Sequence, residues 1–144
     1  MTQFQKFSLF LLRFGTGWLF FYAGITKVLD SQWSSAFYLK AAKTFPQFYS
    51  MFLSPNILPI VDFVNKWGLT LLGVSLILGI FVRWSSLLGA LLMILYYFPI
   101  LDFPYPNPHS YIVDEHIIYA LVLLFFFAIG AGRYWGLDGR GENN

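Results

Sequence analysis

The chain has 144 residues, 58% hydrophobic, 22% aromatic and 11% charged, about half the charge of an ordinary soluble domain. Its net charge of +2 is small and scattered, which argues against a nucleic-acid partner. With no cysteine, it has no disulfides, thiol redox chemistry, cysteine-ligated zinc or iron–sulfur cluster.

The apolar residues fall in blocks too long for buried strands, and such blocks read as membrane spans. The first covers about residues 7 to 29, with Arg13 and Lys27 near its two ends, placed to snorkel or to pair structurally. Arg13 interrupts the apolar run and "LFFYAGITK" has no small-x-small site, so this segment is expected to remain as an anchor. Gly15, Gly17, Ala23 and Gly24 offer small surfaces, either for packing within one bundle or for a homo-oligomer.

Residues 31 to 53 follow, with Trp33, Phe37, Ala41, Phe45, Phe48 and Phe52 at helical spacing. An amphipathic interfacial helix is expected, with Pro46 kinking or splitting it. The second span covers about residues 57 to 82, and Asp62 and Lys66, four apart, are expected to pair on one face. The third covers about residues 84 to 100. "LDFPYPNPHS" then makes a proline-rich connection, and the fourth span runs from about 111 to 132.

The expected architecture is all-α: one domain over residues 1–144, an integral membrane four-helix bundle with an added interfacial helix. Four crossings put both termini on one side. That side carries Lys6, Arg13, Arg83, Arg133 and Arg140, against Lys27, Lys40, Lys43 and Lys66, which favours cytoplasmic termini.

Depth places Lys27, Asp30, residues 62–66, Tyr96, Tyr97, Asp102 and residues 114–116 in one outer polar layer. Ionisable groups at membrane depth are a site hypothesis by default. Asp114, Glu115 and His116 are the candidate catalytic groups. Successive helical residues point about 100° apart, so the three cannot all face inward. Glu115 and Tyr119, four apart, are the expected inward pair, and His116 is expected nearer Tyr96 or Tyr97. The bland alternative is a solvated acidic helix start stabilised by the dipole. With two histidines, one of them (His109) in the proline-rich connection, no metal or haem set is expected. No dinucleotide, phosphate-loop or serine-nucleophile motif is present.

The segments "GWLFFYAGITKVLD", "WSSAFYL", "NKWGLTLLGVSLILG", "RWSSLLGALLMILYY", "VDEHIIYALVLL" and "GAGRYWGLD" occur in the order seen in the DoxX family, and the chain resembles that family from about residue 8 to 138. The family takes its name from proteins linked to thiosulfate:quinone oxidoreductase and quinol oxidase systems. The resemblance therefore implies a prokaryotic inner-membrane protein that interacts with quinone and needs an oxidoreductase partner, soluble or membrane-bound. It carries the polar motif onto Asp114, Glu115, His116 and Tyr119, without a covalent cofactor. Tyr22, Tyr96, Tyr97, Lys66 and Asp62 are further candidates for contacting the quinone. The alternative is a non-catalytic accessory, assembly or scaffold subunit. A transporter fits less well, because the Gly- and Pro-interrupted stretches do not repeat between halves.

Overall fold

A computed structural model describes residues 1–141. The regular elements among those residues are all helices, with two isolated β-bridges in the connection after residue 100. Helix α1 (Gln3–Leu29) begins four residues before the expected span because Thr2 and Gln5 form a capping box. The Thr2 hydroxyl accepts from the Gln5 N–H at 3.2 Å, and the Gln5 side chain accepts from the Thr2 N–H at 2.7 Å.

Residues 31–53 do not form one amphipathic helix. They make α2 (Ala36–Lys40), α3 (Pro46–Ser50) and a single 3₁₀ turn, Met51–Leu53. The break lies at Phe45, whose φ of 53° is left-handed, immediately before Pro46. This segment folds onto the end of α5 (Val82–Ile100). Pro99, inside α5, has no N–H to give the carbonyl of Leu95. The Tyr49 hydroxyl donates to that carbonyl instead, at 2.9 Å. Burial pushes the Tyr49 hydroxyl above its ordinary pKa, so it stays a donor. The Lys43 N–H bonds the Pro99 carbonyl at 3.0 Å, and Lys43 Nζ lies 3.2 Å from Asp102.

Helix α4 (Leu58–Leu78) packs along α1, and α5 packs on both α4 and α6 (Glu115–Ile129). The α1–α4 contact depends on glycine: a Cβ at Gly73 would lie 2.3 Å from the Phe21 nitrogen, and one at Gly24 2.3 Å from that of Thr70. Leu69, Leu72, Leu76, Met93, Leu123 and Phe126 fill the shared core. Three helices, α1, α4 and α5, are long and apolar enough to cross a membrane. Helix α6 is apolar but shorter, about 22 Å at 1.5 Å per residue.

At one end of the molecule the turn between α4 and α5 is closed by the C-terminal segment. Asp138 accepts from the N–H groups of Phe81 (2.7 Å) and Val82 (3.0 Å), capping α5 from outside its own helix. The Asp138 N–H donates in return to the Gly79 carbonyl at 2.8 Å. Arg13 reaches into the same corner and is 1% exposed, so its structural pairing is realised and snorkelling is not. The glycine-rich "GAGRYWGLD" is what lets these groups approach: a Cβ at Gly132 would lie 2.1 Å from an Asp138 carboxylate oxygen.

Candidate functional site

The opposite end carries the polar layer. Residues Tyr111–Val113 are not helical, and α6 starts at Glu115, later than the expected position 111. Its N-cap is Asp114, 3% exposed, whose Oδ1 accepts from the N–H groups of His116 (3.0 Å) and Ile117 (3.2 Å). The other oxygen, Oδ2, faces His116 Nδ1 at 2.7 Å. Because a carboxylate accepts, the imidazole carries its proton on Nδ1, and Nε2 becomes the atom open to exchange.

From His116 the layer continues across helices. The ring meets that of Tyr96 edge-on, with centroids 6.2 Å apart. The Tyr96 hydroxyl donates to Asn65 Oδ1, and Asn65 Nδ2 donates to the Val61 carbonyl at 2.8 Å. Asp114, His116, Tyr96 and Asn65 thus link α6, α5 and α4. Tyr97 donates to the Ile112 carbonyl and so ties down the bend, left-handed at Ile112, that leads into the cap.

The expected Glu115–Tyr119 pair is divided: Tyr119 packs against the core, and Glu115 does not. The buried line of α6 runs through Ala120, Leu123 and Phe126. His116, two turns before Leu123, falls on that line, whereas Glu115 is rotated about 100° from His116 and is exposed. Tyr119 packs its ring against Phe20 at 5.8 Å.

Asp62 and Lys66 make no close ion pair either, although the Lys66 charge still acts on the carboxylate. Asp62 accepts from the Ser35 N–H at 2.8 Å and the Ser35 hydroxyl at 2.6 Å. Lys66 Nζ instead lies 5.8 Å from the centroid of the Trp33 ring, which Lys27 Nζ also approaches at 5.5 Å. Lys27 donates to its own helix as well, at the Ala23 carbonyl, 2.7 Å away. Tyr22 is 62% exposed on the outer face of α1, away from these groups.

Asn65, Ser35 and Trp33 are the members of this layer that charge-based reading passes over. The signal for Asn65 was its position: a lone amide about two helical turns into an apolar span needs a partner. The ligand atoms of Asp114, Glu115 and His116 lie within 4.8 Å of one another. Both Asp114 oxygens already receive N–H donors, so the geometry serves to orient an imidazole.

The family profile DoxX matches residues 8–100. The chain belongs to the DoxX family. With three helices able to cross a bilayer, this DoxX chain is a multi-pass membrane protein. The matched stretch runs from within α1 to the end of α5 and stops before Asp114 and His116. No curated protein and no solved structure matches the chain.

Proposed function

We propose that this DoxX protein crosses a prokaryotic inner membrane four times with cytoplasmic termini, and binds a quinone headgroup at its outer polar layer as part of an oxidoreductase system. The fourth crossing is supported by the path of α6, which begins beside Tyr96 and ends near Val82, at the two ends of α5. The terminal segments meet at one end through Arg13, which fits an even number of crossings.

The observation that carries the functional reading is the link from Asp114 through His116 and Tyr96 to Asn65. A quinone headgroup requires hydrogen-bonding partners at interface depth, a flat aromatic neighbour and a route for protons. His116 Nε2 serves as donor or acceptor, Asp114 fixes the ring, and Tyr96 supplies the aromatic face. The His116 side chain is 23% exposed, at the rim of the layer, where a headgroup docks from the bilayer. The quinone brings two-electron chemistry; the chain offers no redox metal motif or thiol, so the electrons come from a partner protein.

Mass spectrometry of lipids extracted from the purified protein tests this. Quinone enriched over the bulk membrane, and lost in His116→Ala and Tyr96→Leu, supports the reading; equal abundance removes it. One observation favours an accessory or scaffold role instead: the layer's polar groups largely satisfy one another, as a structural network requires. That role predicts substitutions that lower stability without changing quinone retention.

A further inference from the structure

The other end of the molecule holds a cavity of about 230 Å³, lined by Phe81, Arg83, Trp84, Gly130, Arg133 and Asp138. We propose that this cavity binds the phosphodiester headgroup of an anionic phospholipid. Arg83 and Arg133 both line this space, at the junction of α5 and the end of α6. Arg83 is held there by its stack on Phe127, with Cζ 5.1 Å from the ring centroid. Arg133 is folded over Gly130: its Cδ lies 3.5 Å, and Nε 3.6 Å, from where a Gly130 Cβ would stand. A guanidinium has five N–H donors on more than one edge, so a protein contact on one edge leaves another for phosphate.

Asp138, the acid in the lining, does not oppose an anion in the ordinary way. Its two oxygens accept from the Phe81 and Val82 N–H groups, which turns the carboxylate toward the helix end. A lipid, rather than free phosphate, is the fitting occupant because the wall is amphipathic. Trp84 is 66% exposed and Phe81 70% exposed beside the arginines, so acyl chains have an aromatic surface to lie on. The same end gathers Lys6, Arg83, Arg133 and Arg140, cations suited to an anionic leaflet. The inference is independent of quinone binding.

The test is native mass spectrometry and thermal unfolding of the full chain, with phosphatidylglycerol or phosphatidylcholine added in neutral detergent. Phosphatidylglycerol should be retained preferentially and raise the melting temperature saturably. The R83Q/R133Q double variant should weaken that retention at least about tenfold, the size expected for lost charge-assisted bonds. Lys6→Gln with Arg140→Gln, removing the same charge elsewhere, should change it little. If the double Gln variant does not fold, R83K/R133K and W84A are read instead: the first keeps the charge but loses the fork, the second loses the wall, and each should weaken retention. Equal retention of both lipids, or losses equal to the Lys6/Arg140 control, overturns the proposal. Full displacement of phosphatidylglycerol by millimolar inorganic phosphate would identify a free-anion site and overturn the lipid assignment.

Discussion

Arg13 Nη1 donates to the carbonyl of Ala131 at 3.1 Å, across 118 residues of sequence, and its Nη2 reaches the carbonyl of Trp135 at 3.0 Å. The two carbonyls lie just beyond the end of α6, where helical N–H donors have run out, so a cation is favoured there by both hydrogen bonding and the dipole. Asp138 adds Coulombic support. Removing the guanidinium leaves the buried Ala131 carbonyl only its 3.4 Å bond from the Tyr134 N–H, takes a donor from the Trp135 carbonyl, and leaves a cavity. Arg13→Ala is expected to cost about 3 kcal/mol or more. Arg13→Lys, with one compact ammonium, should restore part of it. Thermal unfolding in detergent measures both; an unchanged melting temperature for Arg13→Ala would contradict this account.

Glycine spacing on α1 and α4 sets a contrast inside one helix pair. Gly73→Ala would drive a methyl group to 2.5 Å from the Phe21 Cα, a backbone atom that cannot turn aside. Its expected cost is about 1–3 kcal/mol, the usual size for overpacking. Gly15, by contrast, has nothing within 4 Å of a built Cβ. Gly15→Ala should therefore leave stability unchanged or raise it by about 0.5–1 kcal/mol, through helix propensity. Paired melting curves decide it, and equal losses at the two positions would mean that the α1–α4 approach is looser than drawn.

Tyr49→Phe deletes one hydroxyl and leaves the Leu95 carbonyl without its substitute partner. About 1 kcal/mol of stability should go with it. Amide exchange offers a more local reading: protection should fall in residues 43–53 and near the end of α5, while α1 and α4 hold theirs. Uniform loss across all helices would indicate that the Tyr49 contact is not local to that end.

Much of the architecture was legible because lipid imposes long apolar blocks, and those blocks located α1, α4 and α5 to within a few residues. Helix ends were harder. Asp114 marked α6 only once its side chain was seen to turn back onto the His116 and Ile117 N–H groups, a choice that a residue in an apolar, periodic run does not announce. The α2–α3 break was legible in Pro46, expected to kink or split the segment, but the left-handed residue Phe45 before it was not. Site geometry was legible for His116 and Tyr96, whose depth followed from counting residues. It was misread for Glu115 because a one-residue rotation decides which face a polar group takes. Asp62 and Lys66 found Ser35 and Trp33, partners from a connecting segment whose path depends on tertiary packing.

Asp114→Asn separates capping from proton chemistry. Asn caps a helix about as well as Asp, and its amide oxygen can keep the bonds from the His116 and Ile117 N–H groups. Where Oδ2 accepted from His116 Nδ1, the amide nitrogen donates, which forces the imidazole proton onto Nε2. Stability should change by less than about 0.5 kcal/mol. Quinone retention, and its dependence on pH, should shift clearly, because the exchanging atom of His116 has changed character. His116→Ala should lose retention outright, with a modest stability cost from the vacated contact with Tyr96. If Asp114→Asn leaves both stability and quinone retention at the wild-type level, Asp114 acts only as a helix cap, and His116 draws no function from it.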